Sequence, residues 1–394
     1  MNLQTIIPTS HILEWRRHIH QHPELSHQEK ETAAYIRAQL EKIGVDEIVS
    51  PTPTSLIATI NGASPGKTVL FRADIDALPI EEETGLPFRS VNPGVMHACG
   101  HDTHAAMLLG TAEVLTQLRG EFDGTVKLLF QHAEEVTPSG AEEIVASGAL
   151  KGIDAGFGMH IFPNQVPGGI GIVPGGHASS NSDKFDLKIF GHGAHSSTPH
   201  VGVDPILVGA EIVLALNTIV SRNVSPDETA VVSVGAIHAG NANNIIPDTA
   251  EIRGNVRTIH PDTRALIRKR VETIVKSICD ANGASFEMNY EYSVDMMIND
   301  PALSAFAKKV CIDALGEDHV VDVKLMLGSE DFAFYCREFP CCFLFLSGGL
   351  PVEGPVYANH HPKFDIIEDA LPSGTLAQVR IISDFLKSDL ALIQ

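Results

Sequence analysis

Apolar residues in the first third of the chain repeat with two spacings, one typical of helices and one typical of strands. The apolar positions from Ala33 to Ile43 follow a three-four-three spacing that predicts an amphipathic helix, with a capping box of Ser26 and Glu29 before it and Gly44 after it. The next patterns predict strands at 55–60 and 68–75, a helix at 101–118 and a strand at 125–130. Strands that alternate with helices predict an α/β sheet covered by helices.

The middle of the chain has a different order of elements. Its pattern predicts a strand at 184–190, a helix at 205–220, strands at 230–237 and 249–258, a helix at 263–281 and a strand at 285–292. This βαββαβ order is typical of ferredoxin-like folds. After this region, the pattern again predicts α/β elements: a helix at 302–315, a strand at 342–346 and a helix at 371–386. The sequence therefore predicts a discontinuous first domain at 1–181 and 294–394, interrupted by a second domain at 182–293.

Composition limits the classes of function. The 394 residues contain 44% hydrophobic and 20% charged residues, which is ordinary for a compact globular protein. The formal net charge of −21 disfavours nucleic acid and anionic membranes as partners. The sequence contains no apolar run near the ~20 residues that span a bilayer, and its first ten residues do not resemble a secretion signal. With six cysteines in no framework-like spacing, we expect a cytoplasmic protein.

Histidines next to cysteine and glutamate mark the candidate chemistry. In the segment 96–104, Cys99 and His101 are two positions apart and can address one metal ion from an extended loop, with Asp102 and His104 supporting them from the following helix. Packing of a buried thiol beside a histidine is the alternative for such a short pattern. A metal site and a packed core therefore both remain open for this segment alone.

A second candidate lies just past the strand at 125–130. Glu134 and Glu135 are adjacent, so their side chains diverge, and one carboxylate can bind a metal while the other acts as a base. A solvated acidic turn is the alternative for an isolated Glu-Glu pair. His160 and the pair His360-His361 supply further imidazoles. Together these residue types favour a hydrolase site with one or two divalent ions.

Other catalytic patterns fit less well. A deaminase signature begins at His132 but lacks its Cys-x-x-Cys half, and the Gly-x-Ser-x-Gly match at 62–66 precedes a strand instead of a helix. Cys99 among histidines remains an alternative nucleophile.

Further motifs occur in order along nearly the whole chain. They are Trp15-Arg16-Arg17-His18-Ile19-His20, His22-Pro23-Glu24-Leu25, Phe71-Arg72-Ala73-Asp74-Ile75-Asp76-Ala77-Leu78-Pro79, Cys99-Gly100-His101-Asp102, Ala133-Glu134-Glu135, Gly158-Met159-His160, Gly328-Ser329-Glu330-Asp331-Phe332 and His360-His361-Pro362. The set resembles the metal-dependent aminoacylases and amidohydrolases that include hippurate hydrolase, N-acetyl-diaminopimelate deacetylase and the indole-acetyl-amino-acid hydrolases, within a larger superfamily of co-catalytic zinc peptidases. The resemblance implies a three-layer αβα catalytic domain with an inserted ferredoxin-like lid and dimerisation domain.

The resemblance also implies roles for single residues. The implied metal ligands are Cys99, His101, Glu135, His160 and His360, and the implied general base is Glu134. Two segments depart from relatives: Arg72-Ala73-Asp74 replaces a His-x-Asp ligand pattern of the wider superfamily, and His132 stands where proline is common. The first departure implies the thiolate-containing metal arrangement.

The predicted insertion carries three more candidates. His195 resembles a histidine that reaches an active site, often that of the partner subunit, and Asn243 and Arg257 resemble residues that grip polar groups of the substrate. An arginine fork suits a carboxylate, although pairing of Arg257 with a nearby acid is the alternative. The resemblance therefore implies a homodimer or higher homo-oligomer formed through the lid.

The implied reaction is hydrolysis of the amide bond of N-acyl-L-amino acids, small molecules, to a carboxylate and a free amino acid. The implied cofactor is one or two divalent ions per subunit, with Zn suited to Cys and His ligands and with Mn, Co or Ni as alternatives. A dipeptidase or exopeptidase with the same metals is a second hypothesis for the function. A non-catalytic metal-binding protein is a third, which the presence of Glu134 disfavours.

Overall fold

The computed structural model describes residues 3–164, 167–350 and 354–390. The chain divides into two compact units, one formed by Met1–Ala178, Ile298–Leu325 and Asp331–Gln394, the other by Ser179–Met297 and Met326–Glu330. The predicted domain ranges also include residues 1–2, 165–166, 351–353 and 391–394, which lie outside the described residues.

The described helices and strands are as follows. The α-helices are α1 (Thr9–Gln21), α2 (Lys30–Ile43), α3 (His101–Gln117), α4 (Gly140–Ala146), α5 (Pro205–Leu216), α6 (Thr218–Asn223), α7 (Pro261–Asn282), α8 (Pro301–Leu315) and α9 (Leu371–Lys387). The strands are β1 (Glu47–Val49), β2 (Leu56–Asn61), β3 (Thr68–Asp74), β4 (Thr125–Gln131), β5 (Ala155–Phe162), β6 (Ile170–Ile172), β7 (Gly176–His177), β8 (Ser182–Phe190), β9 (Ala194–His195), β10 (Ala230–Ala239), β11 (Ile245–Ile246), β12 (Thr249–Thr258), β13 (Ser285–Val294), β14 (Ile298–Asn299), β15 (Val320–Asp322) and β16 (Cys341–Ser347). Within these described residues, no helix has both the length and the apolar character needed to cross a bilayer.

The first unit is a mixed α/β fold around a central mixed sheet. The strand order is β1-β2-β4-β3-β5-β16-β6-β15, and the four neighbours β4, β3, β5 and β16 run parallel. Strand β3 is buried from its second residue onward because it lies in the middle of the sheet and is covered on both faces. Helix α3 is buried along most of its length and contacts α1, α2, α9 and β3. The carboxyl ends of the four parallel strands therefore meet at one edge, where sites gather in such sheets.

The start of helix α2 corrects one prediction. Ser26 Oγ donates to Asp76 at 2.7 Å, and the Glu29 carboxylate accepts from the His27 amide at 3.0 Å, so no capping box forms. The carboxylate of Glu24 accepts instead from the amides of Glu31 and Thr32, at 3.2 and 2.8 Å. An acidic side chain still satisfies the exposed amides, but it comes from outside the predicted box. The end of the helix at Gly44, with φ 81°, is confirmed.

The second unit contains an antiparallel sheet of four strands in the order β10-β12-β8-β13. Helices α5 and α7 pack against this sheet and against each other, and their apolar side chains form the core of the unit with those of β8 and β12. The helix predicted at 205–220 is divided at Asn217 into α5 and α6.

Candidate metal centre

Four segments at the carboxyl edge of the central strands carry the candidate ligands. Cys99 lies in the loop before α3, and His101 is the first residue of that helix. Glu135 follows β4, His160 lies near the end of β5, and His360 lies in the loop after β16. The parallel strands thus bring together residues that are up to 261 positions apart.

Cys99 is the centre of this cluster. Its Sγ lies 3.3 Å from His160 Nε2 and 3.2 Å from His360 Nε2. Glu135 Oε1 lies 3.2 Å from His360 Nε2 and 3.9 Å from His101 Nε2. The structure therefore brings all five predicted ligands into one cluster, which we call the Cys99 cluster: Cys99, His101, Glu135, His160 and His360.

Glu134 lies at the same place. One potential ligand atom from each of His101, Glu134 and Glu135 falls within 4.8 Å of the other two. The backbone before this pair turns at Ala133, whose φ of 49° is uncommon for a residue with a side chain. The turn at Ala133 precedes the two carboxylates at the edge of the sheet. The adjacent carboxylates are thus part of a cluster and not a solvated turn.

The donor atoms fit a divalent metal ion. His101 Nε2 and Glu135 Oε1 are buried, and among the described residues neither makes a hydrogen bond. A buried polar atom without a hydrogen bond is costly, so these two atoms indicate a ligand at this point. A thiolate, imidazoles and a carboxylate are also the donor types that transition-metal dications prefer.

Asp76 orients two of the candidate ligands. The backbone oxygen and Oδ1 of Asp76 lie 2.9 and 3.1 Å from His101 Nδ1, so this nitrogen donates and Nε2 is directed to the cluster. Asp76 Oδ2 accepts from the Glu135 amide at 3.0 Å. One carboxylate therefore holds both the first turn of α3 and the segment after β4.

His104 of helix α3, which was predicted to support Cys99 and His101, lies beside His160, with ring centroids 4.7 Å apart. His104 Nε2 accepts from the amide of Ile161 at 2.8 Å, and its Nδ1 bonds Asp74. Asp102, predicted to have the same role, lies elsewhere: its carboxylate bonds Arg16 at 3.1 Å and His20 at 2.9 Å. The two residues occupy neighbouring positions of one helix and face different sides of it, which the sequence pattern did not separate.

Arg72 is a buried cation that neutralises carboxylates beside the Cys99 cluster. It is fully buried and bonds Asp74 and Asp331, each at 2.7 Å, and Gln131 at 2.8 Å. Burial would raise the pKa of Asp74, but His101, Arg72 and His104 outweigh it and hold that pKa well below its usual range. At the position where the resemblance implies a histidine ligand in the wider superfamily, this chain therefore has a cation that keeps Asp74 ionised.

The thiol and the imidazoles of the cluster also perturb one another. The Cys99 and Glu135 side chains raise the pKa of His360 to about 10. Burial raises the pKa of the Cys99 thiol, and the neighbouring Glu135 adds to this effect. Cys99 therefore lacks the lowered pKa that a cysteine nucleophile needs, which disfavours that alternative.

Glycine is required where α3 begins. Gly100 has φ 91°, and a Cβ at this position would lie 2.5 Å from Ile161 Cγ2. Ile161 directly follows His160, so the tight approach holds the loop of Cys99 against strand β5.

The other three predicted residues lie on the second unit. The Nδ1 of His195 accepts from the Ser197 amide at 3.1 Å, so in the neutral ring the proton is on Nε2. Arg257 is half-buried and donates to the Leu327 carbonyl at 3.0 Å, and no carboxylate among the described residues pairs with it. Asn243 is exposed. The described residues therefore give no support to the alternative of an Arg257–acid pair.

Sequence reasoning assigned no role to Arg72, Asp74 or Asp76. A signal was present, since the three polar residues alternate at the end of an apolar strand and so lie on one face. Asn359 was also missed: its Nδ2 donates to the carbonyl oxygens of Cys99 and Ile161, at 3.0 and 3.2 Å. Its position next to His360 was the only sequence signal.

Comparison with known proteins identifies the family of this chain. The family model described as Peptidase family M20/M25/M40 matches residues 70–384. This chain belongs to peptidase family M20/M25/M40. As a member of this family, the chain is a hydrolase.

Three known proteins are similar to this chain over most of its length. The N-acyl-L-amino acid amidohydrolase of Geobacillus stearothermophilus is 46% identical over 73% of this chain and 78% of its own length. Thermostable carboxypeptidase 1 of Saccharolobus solfataricus is 37% identical over 95% of each chain. Among solved structures, the YXEP protein of Bacillus subtilis, described as a dinuclear metal binding peptidase from the M20 family, is similar with a TM-score of 0.83 and 35% identity over 96% of this chain and 98% of its own.

Proposed function

We propose that this hydrolase cleaves the amide bond of N-acyl-L-amino acids and releases a carboxylate and a free amino acid. The observation that carries the proposal is the Cys99 cluster with the Glu134 carboxylate beside it. The 46% identity to a protein named N-acyl-L-amino acid amidohydrolase supports the substrate class.

The proposed cofactor is one or two divalent ions. Cys99, His101, Glu135, His160 and His360 would hold them, and the two buried atoms without a hydrogen bond, His101 Nε2 and Glu135 Oε1, support this assignment. When bound, such ions supply a Lewis acid for a carbonyl group and lower the pKa of water from 15.7 to about 7. The thiolate and imidazoles favour Zn, and Mn, Co and Ni are the other candidates.

Glu134 is the proposed general base. Its carboxylate would take a proton from the water that attacks the amide carbonyl and would then give the proton to the leaving amine. The carbonyl carbon gains the water oxygen, the C–N bond breaks, and the amine leaves with the transferred proton. Because Glu135 belongs to the donor cluster, the two adjacent carboxylates divide these tasks.

The second unit is proposed to contribute to substrate binding. Its strand order and two packed helices support a ferredoxin-like lid, and the resemblance adds a role in dimerisation. With its proton on Nε2, His195 can donate a hydrogen bond to the oxyanion of the tetrahedral intermediate. Arg257 and Asn243 are proposed to bind the carboxylate and other polar groups of the substrate.

A carboxypeptidase or dipeptidase activity is the second candidate. The 37% identity to a protein named thermostable carboxypeptidase 1, which extends over 95% of both chains, favours it. The two activities use the same chemistry and differ in the group on the acyl side of the bond, which is an acyl group in one and an amino-acid residue in the other.

A substrate panel separates the two candidates. Release of free amine is measured from N-acetyl, N-benzoyl and indole-acetyl amino acids and from dipeptides, first with chelator-treated protein and then after Zn, Mn, Co or Ni is restored. We expect metal-restored cleavage of the N-acyl amino acids. Cleavage of dipeptides alone would favour the peptidase, and silence over the whole panel would contradict the proposed substrate class.

A further inference from the structure

A second group of metal-binding side chains lies in the first unit and shares no residue with the Cys99 cluster. One potential ligand atom from each of His27, His132 and Glu143 falls within 4.8 Å of the other two. His132 Nε2 is 3.0 Å from Glu143 Oε2, and the two imidazole rings meet edge to face with centroids 5.3 Å apart. The proposed reaction uses none of these three side chains.

Neighbouring oxygens contact one nitrogen of His27 and both nitrogens of His132. His27 Nε2 donates to the Pro138 carbonyl at 3.1 Å, so the other nitrogen of this ring has a lone pair. His132 Nδ1 lies 3.3 Å from Thr52 Oγ1, whose hydroxyl is 2.6 Å from Ser55 Oγ. His132 Nε2 faces the Glu143 carboxylate, which only accepts, so without an ion this nitrogen donates to Glu143. A bound ion would replace that proton, and Nδ1 would then donate to Thr52 Oγ1, a second contact of the kind that histidine ligands of metals make.

Burial differs among the three side chains in a way that suits a bound ion. The side chain of His132 is 1% exposed, that of Glu143 is 39% exposed, and His27 is exposed. An ion can therefore arrive from solvent through His27 and Glu143 and reach a ring held rigidly in the interior. His27 also has φ 64°, uncommon for a residue with a side chain.

We propose that His27, His132 and Glu143 bind one transition-metal dication, with Zn²⁺ as the best match. Two imidazoles and one carboxylate are a donor set that Zn²⁺ accepts, with a water molecule completing four ligands. This ion is additional to those of the Cys99 cluster.

The peripheral ion would restrain the segment that carries the proposed base. Glu29 Oε1 accepts from the amides of both His27 and Ala133, at 3.0 and 2.8 Å. An ion between His27 and His132 would tie the same two segments a second time, directly before Glu134. We expect excess Zn²⁺ to inhibit hydrolysis through this site, a consequence that rests on the proposed function.

The test of binding does not depend on activity. Zn²⁺ bound per chain is measured by equilibrium dialysis and elemental analysis for the wild type and for His27→Asn and Glu143→Gln, both at positions that reach solvent. The matched control is His11→Asn, which removes a histidine paired with a single carboxylate, Glu113, at 2.8 Å. We expect each of the two site variants to bind one Zn²⁺ fewer than the wild type and the control. Equal Zn²⁺ content in all four proteins would overturn the site.

Inhibition is tested separately on an N-acyl amino acid that the wild type cleaves. Excess Zn²⁺ should slow the wild type and the His11→Asn control, whereas His27→Asn should keep its rate at the same Zn²⁺ concentration. Equal inhibition of all three proteins would overturn the link to the base segment. If no amide is cleaved, the dialysis result still decides the metal site, so failure of the proposed function is distinguishable.

Discussion

Cys99 holds the candidate metal centre together at the scale of single residues. Its sulfur contacts His160 from strand β5 and His360 from the loop after β16, so one side chain links two separate parts of the fold. Behind it, Arg72 and His104 fix Asp74, and Asp76 fixes His101. The donor atoms are therefore held in place by neighbouring side chains whose own positions are fixed by hydrogen bonds.

Replacement of Cys99 tests the two roles considered for its thiol, metal ligand and nucleophile. For Cys99→Ala we expect metal affinity to fall by more than about tenfold, since loss of even a supporting partner costs 10–100-fold, and turnover to fall with it. Bound metal is measured after dialysis against the same free metal concentration. The control is Cys336→Ala, which removes a half-buried thiol that is not part of the Cys99 cluster. A Cys99→Ala protein with full metal content and activity would contradict both proposed roles of Cys99, as a metal ligand and as a nucleophile.

The predictability of these residues depended on their chemistry. Cys99, His101, Glu134 and Glu135 were predicted because metal-binding or acidic types lie close together in the sequence. Arg72 was not, because its alternation with Asp74 and Asp76 does not reveal its partner Asp331, which is 259 positions away. Contacts across such separations are fixed by the fold.

Helices α1 and α3 are joined by a buried charged network at the scale of elements. Arg16, only 2% exposed, bonds Asp102 on α3 and also Asp365 and Glu368 near the start of α9. His20 bonds the same Asp102 carboxylate at 2.9 Å and Glu82 at 3.3 Å. Asp102 is next to His101, so this network also fixes the turn that carries a candidate ligand.

The network predicts a pH dependence of stability. Burial alone would lower the pKa of His20, but Asp102 and Glu82 outweigh it and raise that pKa to about 9, against 6.5 for an ordinary histidine. Since the folded pKa is raised, the stabilisation is fully present below pH 6.5 and is lost as pH rises through about 9. The shift corresponds to about 3 kcal/mol.

Urea unfolding between pH 6 and 9.5 measures this contribution. We expect the wild type to lose about 3 kcal/mol more than His20→Asn over this interval, because the variant has no such proton to lose. His11→Asn, on the same helix at the surface, should follow the wild type. Parallel curves for the wild type and His20→Asn would show that His20 is not charged in the folded state.

The same network explains which elements could be predicted. Strands β2, β3 and β4 and helix α3 were found because each contains a run of apolar residues in its buried part. Helix α1 was not predicted as an element, because its buried face carries Arg16 and His20 beside Ile12, Trp15 and Ile19. Charged residues on the inner face conceal the helical period until their partners are known.

The second unit carries its candidate residues on a fold of its own at the scale of the whole molecule. Its four-stranded sheet and its helices have a separate apolar core, so changes at its surface should leave the first unit intact. The order βαββαβ could be predicted because the apolar residues of these strands and helices repeat with a regular period. The proposed function of the unit depends on single exposed side chains. Such side chains do not follow a helix or strand period, so the hydrophobic pattern does not reveal them.

His195 tests the proposed role of this unit. For His195→Ala we expect turnover to fall by about 10²–10³-fold with unchanged bound metal, since that is the usual cost of one oxyanion donor. The control is His200→Ala, an exposed histidine of the same unit. Normal turnover of the His195 variant on the same N-acyl amino acids would make this histidine structural.

Glu134→Gln tests the central claim most directly. Chelator-treated wild type and variant are reloaded with the same metal, and bound metal and release of free amine from one N-acyl amino acid are measured on each sample. The account predicts equal metal content in both and a turnover about 10²–10⁴-fold lower in the variant, because the amide of glutamine cannot take the proton from water. Near-normal turnover of the variant, or full activity of the wild type without metal, would contradict it.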